Sequence, residues 1–215
     1  MIDPKIVNPE VLKYVLKTNP EPPIIFSKIE EQARNENRPI VSKDAGLFLH
    51  LITKITNAKR VLEIGCNIGY SATWFATALG DDGHLDTLEI NEETAKEAEK
   101  FFKEAQVANK IKIHIGPALE TIPNLKETYD ILFIDAAKQQ YKDYVELCLD
   151  KLRKGALILV DNVLWSGKVA NEDIPKDDKL TKALKDFNEY FSNHPDIETT
   201  ILTIGDGIAL GIKSK

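Results

Sequence analysis

Cysteine is scarce in this chain of 215 residues: there are two, Cys66 and Cys148, and they form neither a Cys-x-x-Cys pair nor a zinc-type spacing. A disulfide framework and a structural zinc are therefore set aside, and both cysteines are read as reduced thiols. Neither staple is needed, because a chain of 215 residues can bury a substantial core. Long apolar runs are also missing, and none approaches the ~20 residues that cross a bilayer. The opening Met1-Ile2-Asp3-Pro4-Lys5 lacks the charged and then apolar order of a secretory leader, so a cytoplasmic protein without a membrane partner is expected. Positive charge is not in excess. With 28 Lys and Arg against 34 Asp and Glu, the formal net charge is −6, and the overall electrostatic footprint of a nucleic-acid binder is absent. Internal repeats and low-complexity segments are likewise lacking.

What is present is the size and rhythm of one α/β domain spanning residues 1–215. The first ~57 residues read as helical, broken at Asn19-Pro20, Pro22-Pro23 and Pro39. Apolar positions at Val11, Val15 and Leu16, and again at Leu47, Leu51, Ile52 and Ile55, recur at helical spacing. These helices form an extension ahead of the sheet. From residue 60 short apolar runs alternate with amphipathic ones. Strands are predicted over Arg60–Ile64, Leu85–Ile90, Ile111–Ile115, Tyr129–Ile134 and Ala156–Val160. Between them fall helices over Ser71–Leu79, Glu92–Ala105, Ala118–Leu125 and Asp143–Leu152, followed by one over Lys179–Phe191. The tail, Glu198–Ile204 and Ile208–Ile212 around Gly205-Asp206-Gly207, reads as a closing antiparallel hairpin. The expected fold is a Rossmann-like, doubly wound sheet of seven strands, mostly parallel, with right-handed crossovers. Ligands of such sheets bind beyond the carboxyl ends of the strands, at the switch point.

The first strand runs into Gly65-Cys66-Asn67-Ile68-Gly69 and a helix start. Glycine permits a tight turn and close approach of a ligand, and the helix beyond offers free amides. The spacing is GxxxG rather than the GxGxxG that seats a pyrophosphate, and Glu63 stands just before it. A carboxylate there repels a pyrophosphate and suits a ligand bearing an ammonium group. Glu89 closes the second strand about 20 residues after the loop, where a carboxylate accepts hydrogen bonds from ribose hydroxyls. A cationic, phosphate-free nucleoside satisfies both features, and S-adenosylmethionine is one. The plainer reading is a strand–helix turn with a solvated strand end. The combined offsets favour the cofactor.

Two further strands end in acid: Ile131-Leu132-Phe133-Ile134-Asp135 and Leu157-Ile158-Leu159-Val160-Asp161, the latter followed by Asn162. In a parallel sheet those ends share one edge. Two carboxylates and an amide carbonyl are hard oxygen donors suited to Mg²⁺, with Mn²⁺ or Ca²⁺ as alternatives. Singly, each Asp is as well explained as a helix cap. Lys138 lies three residues past Asp135, at the mouth of the same site, where a neighbouring cation can lower its pKa and make it a base.

Together these residues resemble the cation-dependent O-methyltransferases typified by the caffeoyl-coenzyme A and catechol enzymes, and their small bacterial relatives. The resemblance runs from about Pro39 to the C-terminus and rests on several motifs in order. They are Glu63-Ile64-Gly65 through Gly69-Tyr70-Ser71, Gly116-Pro117-Ala118-Leu119, Phe133 through Lys138, Asp161 through Gly167, and Gly205-Asp206-Gly207. Asn67 stands where many methyltransferases carry glycine. The resemblance implies that Glu63, Gly65, Ser71, Glu89, Ala118 and Asp135 contact S-adenosylmethionine, with Val41 and Ser42 at its methionine end. It implies Asp135, Asp161 and Asn162 as metal ligands, and Lys138 with Asp135 as the catalytic pair. Ile40, Lys138, Trp165 and the N-terminal helices would wall a pocket for a small aromatic hydroxyl substrate, and a homodimer is expected. A catechol hydroxyl, with a pKa of roughly 10, is a poor nucleophile until a metal stabilises its anion.

Two other readings compete. Some relatives methylate the hydroxyl of a wobble 5-hydroxyuridine in tRNA, and the stretch from Phe133 to Tyr141 with Gln139-Gln140 resembles that branch too. Against it, Lys176-Asp177-Asp178-Lys179 carries no net charge, whereas RNA binding needs a basic surface. A nicotinamide-dependent oxidoreductase of related fold is disfavoured by the GxxxG spacing and the lack of a hydride-transfer pair.

Overall fold

The computed structural model describes residues 8–215, so the Met1–Lys5 segment read above lies outside the described residues. Three helices come first: α1 (Pro9–Thr18), α2 (Ile24–Asn35) and α3 (Lys43–Ile55). Their ends fall at the expected prolines, which cannot continue a helix because they lack an amide hydrogen. The alternating region follows with β1 (Arg60–Ile64), α4 (Tyr70–Ala78), β2 (His84–Glu89), α5 (Glu92–Glu104), β3 (Ile111–Ile115), α6 (Ala118–Thr121), β4 (Tyr129–Ile134), α7 (Tyr141–Leu149) and β5 (Leu152–Val160). It closes with α8 (Lys179–Ser192), β6 (Ile197–Leu202) and β7 (Ile208–Lys213).

The seven strands expected from the sequence form one sheet, in the order β3-β2-β1-β4-β5-β7-β6. β1 to β5 pair in parallel, and β7 runs antiparallel to both β5 and β6. Chain order reverses between β1 and β4, which opens a crevice at their carboxyl ends. Side chains along the strands alternate between the two faces, apart from a register shift between Tyr129 and Ile131. Val61, Leu85, Ile131, Phe133 and Leu159 face one buried cluster shared with Phe26, Leu49, Phe75 and Phe102. Leu62, Ile64, Leu132, Ile158 and Val160 face the other, shared with Tyr141, Val145, Leu184 and Phe187.

The helical extension is joined to the sheet layer through α4. The Phe26 ring stacks on Trp74 at 3.8 Å, and Gly46 leaves the space on α3 that the Trp74 indole fills. α1 behaves differently. Its apolar spacing is helical, yet none of its residues is buried, and Val11, Tyr14 and Val15 face outward.

Two element boundaries depart from the expectation. The helix predicted through Leu152 stops at Leu149, and Leu152 opens β5, where it is buried and pairs with Tyr129. The exposed Arg153-Lys154-Gly155 segment interrupts the apolar run, and Gly155 takes φ +76°, so the early part of the strand carries no period-two signal. The helix predicted over Ala118–Leu125 ends at Thr121 and passes into a 3₁₀ turn over Ile122–Asn124. Pro123 in that turn cannot donate the hydrogen bond an α-helix requires.

Candidate active site

The loop after β1 is fixed by backbone bonds. The amides of Gly65 and Cys66 both donate to the carbonyl of Leu88 at 3.0 and 3.1 Å, and the Asp135 amide donates to Ile64 O at 3.0 Å. Gly65 has φ +101°, and a Cβ there would overlap the carbonyl oxygen of Asp135. The glycine is thus required by contact between the ends of β1 and β4. Asn67, at φ +46°, donates its backbone N–H to Glu89 Oε2 at 2.7 Å, and its Nδ2 donates to Pro39 O at 2.6 Å. Asn91 N–H donates to Glu89 Oε1 at 2.9 Å. Glu89 therefore stands at the end of β2 with its carboxylate oriented by two main-chain donors.

Glu63 has a different setting from the one its position in sequence implied. It is wholly buried, and it lines neither of the cavities at this edge. Ser71 Oγ donates to its Oε1 at 2.6 Å and Thr87 Oγ1 to its Oε2 at 2.5 Å, which ties β1 to α4 and β2. Burial outweighs those two hydrogen bonds and, with the charges of Asp135 and Glu89, pushes its carboxyl up to about 8.

Two cavities meet at the carboxyl edge. The larger, of about 480 Å³, is walled by Leu88, Glu89, Ala118, Leu119, Gln140 and Tyr144 among others. The smaller, of about 210 Å³, is walled by Ile40, Val41, Tyr70, Ser71, Lys138 and Asn162 among others. Gly65, Asn67, Asp135 and Ala136 line both, so the two form one continuous groove. Ser42 caps the start of α3 beside this groove; its Oγ is buried and has no hydrogen-bond partner among the described residues. Trp165 lies outside both walls and packs instead on the lower core.

The acidic residues lie at the ends of β4 and β5, which are paired in parallel. Lys138 Nζ donates to Asp135 Oδ1 at 2.9 Å. Asp161 is buried, and Asn162 Nδ2 approaches its Oδ2 at 3.3 Å while its Oδ1 has no partner among the described residues. Burial and then the neighbouring Asp135 charge hold the Asp161 carboxyl well above the usual carboxylate range, against the opposing influence of Lys138. Ionisation of Asp161, buried with an orphaned oxygen beside a second acid, requires a countercharge. Two carboxylates and a carboxamide oxygen supply hard donors for a divalent cation, so these residues fit the metal that the sequence implied. Among the described residues no group of three or more His, Cys, Asp or Glu side chains is arranged to hold a metal.

Four contributors escape the sequence reading. Asn67 was noted only as a departure, yet it orients Glu89 and bridges to Pro39. Gln140 and Tyr144 join the larger wall, where the helical pattern of α7 gave no sign of a ligand role. Asp206 Oδ1 accepts the N–H of Ser166 at 2.6 Å, and the main chain of Asp206 and Gly207 accepts from Leu164 and Val163. The hairpin turn thereby props the loop that follows Asn162, at a distance in sequence that no local motif reveals.

Glu63 also yields a stability prediction. The folded protein retains its proton up to about pH 8, whereas an unfolded glutamate ionises near 4.5. The stabilising contribution is therefore complete below the lower value and is lost as pH rises through the upper one. Urea unfolding of Glu63→Gln and the parent across this range is expected to show the difference moving in the variant's favour with rising pH. A pH-independent difference would contradict the raised pKa.

The comparisons with known proteins agree with this geometry. The family profile described as O-methyltransferase matches residues 20–214. Caffeoyl-CoA O-methyltransferase 5 of Nicotiana tabacum is 36% identical over 213 residues, covering 92% of this chain and 88% of the relative. Among solved structures, the O-methyltransferase TomG of Streptomyces achromogenes, involved in tomaymycin synthesis and crystallised with S-adenosylmethionine, superposes with a TM-score of 0.87 at 31% identity over 100% of both chains. The Bacillus cereus O-methyltransferase in complex with S-adenosylhomocysteine gives a TM-score of 0.84 at 30% identity, covering 95% of this chain and 97% of that one. A cofactor groove at the switch point, acids converging beside it and these similarities lead to one conclusion: the chain belongs to the O-methyltransferase family that includes the caffeoyl-CoA enzymes, and it is an S-adenosylmethionine-dependent O-methyltransferase.

Proposed function

We propose that this chain methylates one hydroxyl of a vicinal dihydroxy aromatic small molecule of the caffeoyl type, with a divalent cation, Mg²⁺ foremost, held by Asp135, Asp161 and Asn162. The carrying observation is the buried Asp161 Oδ1, which has no hydrogen-bond partner among the described residues and adjoins Asn162, itself a wall residue of the smaller cavity together with Asp135. When bound there, the cation supplies charge stabilisation for a phenolate and a template for two adjacent oxygens. Lys138, held at 2.9 Å from Asp135, is placed to steer the proton leaving the acceptor hydroxyl. Gly65, Ser71, Val41 and Ser42 hold the methionine end of the cofactor, Glu89 its ribose and Ala118 its base. Ile40, which lines the smaller cavity together with Lys138, bounds the acceptor. This arrangement fixes donor and acceptor oxygen against each other, and positioning of that kind supplies much of the rate of a displacement. The similarity to caffeoyl-CoA enzymes supports the acceptor class.

We also propose a homodimer, supported by the exposed Val11, Tyr14 and Val15 of α1 and Leu51 and Ile55 of α3. Light scattering that reports a monomer at micromolar concentration would overturn it.

The function is tested by transfer of labelled methyl from S-adenosylmethionine to a caffeoyl-type catechol, with Mg²⁺ and then with excess EDTA. Transfer abolished by EDTA, and lowered by about 10²-fold or more in Asp161→Ala with cofactor binding retained, is the expected outcome. Full activity of Asp161→Ala in the presence of chelator would sink the metal role. Methylation of undermodified tRNA and not of catechols would replace the acceptor by a wobble 5-hydroxyuridine.

A further inference from the structure

The larger cavity has a direction. Glu89, pinned by the amides of Asn67 and Asn91, marks where ribose hydroxyls are accepted. On one side the groove runs through Gly65 into the smaller cavity with Ser71 and Val41. On the other side it ends between the loop after β3 and the start of α7, among Ala118, Leu119, Ala136 and Ala137. Those small apolar walls suit a flat heterocycle, which leaves this end for the nucleobase. Two polar side chains face each other there. Tyr144, buried on α7, donates its hydroxyl to Gln140 Oε1 at 2.5 Å.

That bond fixes which way the carboxamide faces. With Oε1 engaged, the two hydrogens of Nε2 are left without an acceptor among the described residues. Gln140 occupies the N-cap position of α7, but its side chain makes no capping bond. Its backbone N–H already donates to Ala137 O at 2.9 Å. The side chain therefore satisfies no main-chain group of the helix, and its one bond, to Tyr144 a turn further on, uses Oε1 and leaves Nε2 free for another partner. A carboxamide donor held beside an apolar slot is the feature that distinguishes one nitrogen heterocycle from another, because a buried donor facing carbon in place of nitrogen is left unpaired.

We propose that Gln140, oriented by Tyr144, reads the cofactor's adenine by donating Nε2–H to one ring nitrogen, and so sets base specificity. The proposal rests on S-adenosylmethionine occupying the groove in the direction given above. Ala118 and Leu119 supply shape, Glu89 the ribose, and Gln140 the identity of the base.

The test is a binding panel, measured by calorimetry, of S-adenosylhomocysteine and its 1-deaza, 3-deaza and 7-deaza analogues. The proteins compared are the parent, Gln140→Leu and Tyr144→Phe. In the parent, one deaza replacement is expected to weaken binding by about 3- to 10-fold, the range of one neutral hydrogen bond, while the other two have little effect. In Gln140→Leu the parent compound should weaken by the same factor, and the sensitivity to that one replacement should vanish. Tyr144→Phe, which keeps the carboxamide but frees its orientation, should give an intermediate sensitivity. Uniform weakening of all four compounds in Gln140→Leu would assign the residue to packing and overturn the proposal. Sensitivity retained unchanged in Gln140→Leu would overturn it as well. Failure of the parent protein to bind S-adenosylhomocysteine at all would instead remove the cofactor reading of the groove on which the proposal stands.

Discussion

The close approach of β1 and β4 at the carboxyl edge is the constraint on which the rest of the site depends. Gly65 has no Cβ because the Asp135 carbonyl occupies its place, and Asp135 N–H donates to Ile64 O at 3.0 Å. One side of this contact is the cofactor loop, and the other carries a carboxylate of the acidic cluster. The loop after β1 and the acidic residue at the end of β4 are thus built on adjoining backbone. Parallel strands at a switch point make such a contact available, and glycine makes it close enough to be useful. Asn67 extends the arrangement outward, since one residue orients Glu89 through its amide and reaches the Pro39 carbonyl through its side chain. The strap that leads from Pro39 into α3 is thereby joined to the groove it borders.

Charge is handled in two ways at this edge. Glu63, two residues before Gly65, is withdrawn from the groove and satisfied by Ser71 and Thr87. It links two strands and a helix and fixes the placement of Ser71 on the wall of the smaller cavity. Asp161 is buried without full satisfaction, with Asp135 raising its pKa further. A fold gains no stability from an orphaned buried acid. Its presence beside a second acid and a carboxamide makes sense as a receptor for positive charge, of which Lys138 supplies part.

Much of this was legible in the residues. Val61, Ile131 and Phe133 alternate with Leu62, Leu132 and Ile134 because each strand is covered on both faces, and such runs announce a doubly wound sheet. Acids that terminate two of those runs are brought to one edge by parallel pairing alone. What stayed hidden depends on long-range contact. The direction of the Glu63 carboxylate is set by Thr87 on a neighbouring strand, and its place before the loop gave no warning of this. The foot of β5 is held by pairing of Leu152 with Tyr129 through a polar segment without alternation. The pocket-wall place of Trp165 rests on the family resemblance alone; the structure shows left-handed backbone at Trp165 and Ser166, braced at Ser166 by Asp206 from the hairpin turn, and an indole packed against the core.

The most direct test of this arrangement is Gly65→Ala, compared with the parent for S-adenosylhomocysteine affinity and for methyl-transfer rate at saturating cofactor, after a melting curve has verified folding. If the loop and Asp135 share one rigid backbone contact, a Cβ that displaces the Asp135 carbonyl will lower both affinity and saturated rate. Loss of affinity with an unchanged saturated rate, or retention of both, would show that the two halves of the site are independent and contradict the arrangement described.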